Sequence, residues 1–185
     1  VAVSTATIQD VQQNSIYSLN GKDYNQTVIV CGEDYELVEL GNMCNTLTTT
    51  KHCTNIGKSS GPYRFYNSSQ SSELYVDFCE VQNTSIILGQ GGNFNIHIVS
   101  TFTPSKHVFV IQEKNQDISL LTYLYYVIPI IQNTLTKNGS TIGWLNKTNI
   151  RLFKIPVPNN PEKIQHWVDK ISQPYNEKNE KQTRI

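Results

Sequence analysis

The longest apolar run of the sequence, within residues 117–139, constrains the fold more than any other feature. Asp117 can accept hydrogen bonds from the first free N–H groups of a helix, and Asn138 and Gly139 favour the left-handed conformation that ends one. The run therefore predicts a helix. Pro129, which has no N–H to donate, predicts a kink within it.

A buried strand over residues 119–128, ended by Pro129, is the alternative, because tyrosine, valine and isoleucine also suit strands. In either form apolar side chains point to all sides, so the rest of the fold must cover the segment. The run is too short and too interrupted to cross a bilayer, which requires about 20 mostly apolar residues.

Short β-prone runs on both sides of this segment predict a β-rich fold. Residues 73–79 alternate between apolar and polar side chains, as a half-buried strand does, and residues 107–112 are apolar on both faces, which predicts a central strand. Runs that recur about every eight to twelve residues are typical of antiparallel sandwiches and barrels. We therefore expect a mainly β protein with one or two helices, built as an antiparallel sandwich or barrel with a C-terminal amphipathic helix. Further strands are expected at residues 15–19, 26–31, 35–40, 62–66, 84–88, 94–101, 141–145 and 149–155.

The C-terminal helix has clear boundaries in the sequence. Asn160 can cap it, Pro161 suits its first turn, and Pro174 is expected to end it. Its apolar face repeats at helical spacing and consists of Ile164, Trp167, Val168 and Ile171. We expect one globular domain over residues 1–174, followed by a mobile charged tail or linker over residues 175–185.

The charge balance argues against nucleic acid as a partner. Fifteen basic and fifteen acidic residues cancel, and charged residues make up 16% of the chain, against about 25% in typical soluble domains. A chain without excess positive charge lacks the electrostatic footprint of a protein that binds a phosphate backbone. The sequence therefore predicts that nucleic acid is not a partner.

Attached glycans would keep such a neutral surface soluble. Five Asn-x-Ser/Thr sequons are present, and each is an acceptor site for N-glycosylation in a secreted protein. The predicted glycosylation sites are Asn25, Asn67, Asn83, Asn138 and Asn146.

The four cysteines all lie in the first half of the chain. Their even number, wide spacing and lack of a C-x-x-C pair predict two disulfides rather than a zinc site, with the pairing left open. Four reduced thiols in a cytosolic protein are the alternative. The cysteines are Cys31, Cys44, Cys53 and Cys79, and residues 42–61 are expected to form a long loop that two of them pin.

Sequons, cysteines and a chain that begins at Val1 rather than Met together predict a processed protein. We expect it to be secreted or to lie on the extracellular face of a membrane, with no transmembrane segment in this chain.

Two glycine-containing motifs predict loops. Gly57 to Gly61 spells G-x-S-x-G, but a nucleophile elbow requires a strand before it and a helix after it, and the sequence predicts neither. The glycines of residues 89–92 precede a strand-like run instead of the helix that a phosphate cradle requires, so they predict a hairpin turn.

No set of residues predicts a catalytic, metal or cofactor site. The four histidines lack the close spacing of zinc ligands. His97 and His107 could meet across neighbouring strands as a surface pair. The best candidate contact patch is Tyr63, Arg64 and Tyr66, because tyrosine and arginine are enriched in recognition surfaces.

These observations favour a non-enzymatic, N-glycosylated extracellular recognition domain, such as a cell-surface or envelope glycoprotein ectodomain. Its expected partner is a protein or glycan receptor. One alternative is a secreted lipocalin-like β-barrel that carries a small apolar ligand. Another is a secreted hydrolase.

Overall fold

The computed structural model describes residues 29–48, 52–69, 73–91, 95–132 and 145–183, the last ten of these as helical backbone alone. The chain divides into two compact units, Val1–Val30 and Cys31–Ile185. All of the described helices and strands lie in the second unit.

Nine strands and four α-helices make up the described part of this unit, with a short 3-10 helix at Thr54–Ile56. In chain order they are β1 (Tyr35–Glu39), α1 (Leu40–Met43), β2 (Cys44–Thr48), β3 (Tyr63–Tyr66), β4 (Leu74–Val76), β5 (Ser85–Gly89), β6 (Ile96–Val99), β7 (Phe102–Pro104), β8 (Val108–Glu113), α2 (Ile118–Ile131), α3 (Lys147–Arg151), β9 (Lys154–Pro158) and α4 (Pro161–Thr183). The strands form three sheets, with the orders β1-β9, β2-β8-β5-β6 and β4-β3-β7.

The apolar run forms helix α2, as predicted, and the strand alternative is wrong. The Asp117 carboxylate accepts hydrogen bonds from the N–H groups of Ser119 and Leu120 at 2.9 and 3.1 Å, which caps the helix. Pro129 lies inside α2, and the predicted end at residues 138–139 falls outside the described residues. The helix shares one hydrophobic core with the four-stranded sheet, which includes Leu121, Leu124 and Ile128 from α2 and Ile86, Leu88, Phe109 and Ile111 from β5 and β8.

The other face of the four-stranded sheet is buried as well. Ile87, Val108 and Val110 form a second core with Phe102 of β7. The two middle strands, β5 and β8, are therefore covered on both sides, which confirms the central strand predicted at residues 107–112. The sheet β4-β3-β7, which lies over this second core, is mixed, because β3 runs antiparallel to β4 and parallel to β7.

Strand β9 and helix α4, in the C-terminal part of the chain, pack against the first core. The Tyr123 hydroxyl of α2 donates to the carbonyl of Pro156 in β9 at 2.6 Å. Burial raises the pKa of Tyr123 to about 12, with smaller contributions from Tyr35 and Cys31. Helix α4 packs against α2, and its Ile164 and Val168 are buried in the same core.

The predicted antiparallel sandwich or barrel is wrong. The described strands form three separate sheets, one of them mixed, and no described sheet closes into a barrel. The spacing of β-prone runs predicts most of the strands but carries no information on their order within the sheets. Over one face of the four-stranded sheet, helix α2 packs where a sandwich would have a second sheet.

Two local predictions near the C-terminus are also wrong. Residues 149–155 do not form a strand: Asn146 accepts a hydrogen bond from the N–H of Asn149 at 2.8 Å and caps α3 instead. The strand β9 follows and includes two prolines, which it tolerates because it pairs with β1 alone in a two-stranded sheet. Helix α4 continues through Pro174 to Thr183, whereas the division at residue 174 into a domain and a tail remains a prediction.

The predicted disulfides are wrong, because all four cysteines are free. Cys44 lies in β2, where burial, and to a lesser extent Glu113, raises the pKa of its thiol to about 12. Cys79 donates from its Sγ to the carbonyl of Val81 at 3.2 Å. The expected disulfide-pinned loop at residues 42–61 instead contains β2 and the 3-10 helix. Among the described helices, none is both long and apolar enough to cross a membrane.

Candidate functional site

An arginine on β3 lies close to two tyrosine rings and forms the centre of the candidate site. Arg64 and Tyr66 alternate along β3 and so point to the same side of the sheet, and Arg64 lies directly opposite Tyr75 of β4. The guanidinium carbon is 5.7 Å from the ring centre of Tyr66 and 5.4 Å from that of Tyr75. With Glu73 and His97, described next, these residues are called the arginine–tyrosine cluster.

Hydrogen bonds fix the orientation of the guanidinium. Nη1 of Arg64 donates to the hydroxyl of Tyr75 at 3.3 Å and approaches Oε1 of Glu73 at 3.1 Å. The Glu73 side chain is 72% exposed and that of Arg64 is 31% exposed. Nε of Arg64 is buried without a hydrogen-bond partner in the described part of the chain. The cluster therefore holds a half-buried cation beside an accessible carboxylate.

The cluster also sets the charge states of its members. Burial lowers the pKa of Arg64, but hydrogen bonds to Glu73 and Tyr75 outweigh this effect, so the net pKa is raised. The ring of His97, on the edge strand β6, is 5.1 Å from that of Tyr66. Burial, and then the charge of Arg64, lowers the pKa of His97 below 6.5. At pH 7 the site thus contains charged Arg64 and neutral His97.

Hydrogen bonds link the connection between β3 and β4 to the connection between β5 and β6, beside the cluster. Asn67, just after β3, accepts a hydrogen bond from the N–H of Ser69 at 2.7 Å. Asn95, just before β6, donates from its side chain to the carbonyl of Ser69 at 3.1 Å, and its own carbonyl accepts from the N–H of Gly89 at 3.0 Å. This link joins the β3–β4 and β5–β6 connections, and β5 and β6 pair as the hairpin predicted around residues 89–92.

Two basic side chains near this sheet lie beside acidic side chains. Lys58, which bridges to β4, forms an ion pair with Asp77. His52 lies 2.6 Å from Glu80. The local arrangement of charges, rather than their sum over the whole chain, therefore decides what this surface can bind.

The cluster has the chemistry of a binding site. It presents guanidinium donors, a carboxylate acceptor and aromatic faces, which together suit planar groups that carry both acceptors and donors. The described residues contain no group of three histidine, cysteine, aspartate or glutamate side chains placed to hold a metal ion.

The structure brings together two of the three residues of the predicted contact patch. Tyr63 lies on the opposite face of β3 from Arg64 and Tyr66, and the role of all three in contacting a partner remains a prediction. Sequence reasoning missed Glu73, Tyr75 and His97. The alternation of residues 73–79 places Glu73 and Tyr75 on one polar face, but only the pairing of β4 with β3 brings them to Arg64.

Other predicted site residues are scattered. His97 and His107 are not cross-strand neighbours, because β5 lies between β6 and β8. Among the sequons, Asn67 is buried, Asn83 is exposed and Asn146 caps α3. Asn25 and Asn138 lie outside the described residues.

Comparisons with known proteins add a family and a fold. A family model described as the type I restriction modification DNA specificity domain matches residues 32–185. Comparison with curated protein sequences returns no match.

Solved structures of similar fold come from the same kind of system. The S subunit of a type I restriction-modification system from M. genitalium matches with a TM-score of 0.64 and 14% identity, over 78% of this chain and 40% of that chain. A type I R-M system protein, solved to study complex assembly and conformational transition, matches with a TM-score of 0.61 and 13% identity, over 85% of this chain and 43% of that chain. The HsdS subunit from Thermoanaerobacter tengcongensis matches with a TM-score of 0.53 and 12% identity, over 80% of this chain and 40% of that chain. These identities establish similarity of fold alone, and the chain spans between 40% and 43% of the length of these proteins.

Proposed function

Because the chain belongs to the family of type I restriction-modification DNA specificity domains, we propose that it recognises a particular DNA sequence and leaves the chemistry on DNA to other subunits. The observation that carries this proposal is the family match over residues 32–185, which includes every described strand and helix. Assembly with other subunits of such a system is part of the proposal, since one protein of the same fold was solved to study complex assembly.

Membership of this family overturns the extracellular interpretation. The glycosylated recognition domain, the lipocalin-like carrier and the secreted hydrolase are all wrong, because the family is defined by DNA specificity. The predicted secreted or extracellular location is wrong for the same reason, since the family is defined by specificity for DNA. The free cysteines agree with this correction, since thiols stay reduced in the cytosol.

The exclusion of nucleic acid as a partner is wrong as well, and the reason is physical. A net charge of zero is a sum over the whole chain, whereas DNA contacts depend on the local groups that face the phosphates and bases. Residues 81–112 contain no carboxylate side chain. Acidic residues are concentrated elsewhere, for example at Glu33, Asp34, Glu36 and Glu39, so the sum over the chain does not give the charge of any one segment.

The arginine–tyrosine cluster supports the proposal with suitable chemistry. Arginine forks contact base edges and phosphates, and tyrosine side chains contact the DNA backbone. Here the fork is fixed on a strand by two rings and a carboxylate, so little side-chain freedom would be lost on binding.

Selection from a pool of random-sequence DNA duplexes tests the proposal. We expect repeated rounds of binding to the chain and amplification to enrich one motif. We also expect the affinity for that motif to fall with rising salt concentration, because phosphate contacts release counterions. A pool that keeps its random composition after several rounds, while a known DNA-binding protein enriches its own motif in parallel, contradicts the proposal.

A further inference from the structure

The ion pair between Arg64 and Glu73 is poorly explained as a stabilising contact. Its carboxylate is 72% exposed, and exposed ion pairs contribute little to stability. Nε of Arg64 is buried without a partner, which costs stability because a buried donor loses its hydrogen bonds to water. The buried Nε is out of reach of a ligand, so only the exposed part of the Arg64 side chain and the Glu73 carboxylate can contact one.

The orientation of the guanidinium is fixed before any ligand arrives. The ring centres of Tyr66 and Tyr75 lie 5.7 and 5.4 Å from its central carbon, and the Tyr75 hydroxyl accepts a hydrogen bond from Nη1. Tyr66 is itself held by the rings of Phe102 and His97, at 5.7 and 5.1 Å. Because Nη1 already donates to Tyr75 and Nε is buried, Nη2 is the nitrogen left to donate to a ligand.

The pair presents donors and an acceptor side by side. In the major groove of DNA, guanine offers the acceptors O6 and N7, and its partner cytosine offers the donor N4. Arginine matches the guanine acceptors and a carboxylate matches the cytosine donor. We propose that Arg64 and Glu73 together read one G·C base pair, Arg64 contacting the guanine and Glu73 the cytosine. This assignment rests on the proposed function.

A phosphate contact fits the same residues less well. Glu73 lies 3.1 Å from the Arg64 fork, so a phosphate bound there would be repelled by the carboxylate. A base pair edge has no net charge, and its cytosine amino group requires an acceptor at that place. The pair lies where β3 and β4 run antiparallel, toward the β4 edge of the three-stranded sheet β4-β3-β7.

The test compares the motifs selected by the wild-type chain and by Arg64→Ala, Arg64→Lys and Glu73→Ala. Arg151→Ala is the matched control, because Arg151 is an exposed arginine on α3, outside the cluster. Thermal unfolding of each variant verifies that it folds. The affinity of each variant is then measured for the selected motif, for each single-base-pair change in it and at several salt concentrations.

We expect both Arg64 variants to lose discrimination at a single G·C position by about 10- to 100-fold, while the rest of the motif is kept. Glu73→Ala should reduce discrimination between base pairs at the same position by a smaller factor. Arg151→Ala should leave that discrimination unchanged. The decisive result is that the Arg64 and Glu73 variants lose discrimination at the same base pair, since two unrelated defects would affect different positions.

Two results overturn the inference while leaving the proposed function standing. In one, the Arg64 variants select the wild-type motif unchanged. In the other, Arg64→Ala weakens binding equally for all sequences and lowers the slope of log affinity against log salt by about 0.9, as loss of a phosphate contact would. If the wild-type chain itself selects no motif, the proposed function fails and this inference fails with it.

Discussion

Truncation of Leu124 tests whether helix α2 is held by the four-stranded sheet. Leu124 is 0% exposed and lies in the core that α2 shares with β5 and β8. Replacement of a fully buried leucine by alanine removes apolar contacts and leaves a cavity, so we expect Leu124→Ala to lower the free energy of unfolding by about 3 to 5 kcal/mol. For a chain of this size, that loss corresponds to a fall in Tm of about 6 to 20 °C.

A second residue of the same helix provides the control. Ile130 is 74% exposed, so Ile130→Ala should change the free energy of unfolding by less than about 0.5 kcal/mol. Urea unfolding followed by circular dichroism measures both variants, and equal m-values would show that the difference lies in stability. Similar losses for the two variants, or a loss below about 1 kcal/mol for Leu124→Ala, would refute the packing of α2 described above.

Two further predictions concern a helix cap and a titrating group. Asp117→Ala should lower the free energy of unfolding by about 1 kcal/mol in the same urea assay, because two N–H groups at the start of α2 lose their acceptor. Asp117→Asn keeps an acceptor oxygen and should lower it much less. Equal losses of stability in the two variants would count against the cap. The pKa of His97 is lowered in the folded chain by burial and then by Arg64, so the unfolded state binds more protons as the pH falls through 6.5 and stability should decrease there. His97→Gln should remove that part of the pH dependence, and an unchanged profile would show that His97 titrates normally.

Much of the secondary structure follows from local patterns in the sequence. The Asp117 cap and the continuous apolar run predict α2, and Asn160 and Pro161 predict the start of α4, where Asn160 indeed accepts from the N–H of Glu162 at 2.9 Å. The apolar residues at 107–112 predict a strand buried on both faces. These predictions succeed because capping and burial depend on residues close in the chain.

The arrangement of the sheets could not be predicted, because it depends on distant pairings. The parallel pairing of β3 with β7 joins residues 64–66 to residues 102–104, and nothing in either run specifies the other. The prolines at 156 and 158 argue against a strand from sequence alone, yet β9 accepts them as the partner of a single strand.

Only part of the candidate site could be predicted from the sequence. Arg64 and Tyr66 stand two residues apart on a predicted strand, whereas Tyr75 reaches them only through the register of β3 with β4, and His97 only through the packing of two sheets. The sequence did not predict DNA recognition because net charge and residue counts are totals over the whole chain. Neither the total charge nor the count of cysteines shows which groups are neighbours in the fold.

The most direct measurement of the central claim is the ratio of two dissociation constants at physiological salt. One is for the duplex motif selected by the chain, and the other is for a scrambled duplex of equal length and composition. We expect the selected duplex to bind at least about 10³-fold more tightly, as specific DNA-binding proteins do. A ratio near one would contradict the claim that this chain specifies a DNA sequence.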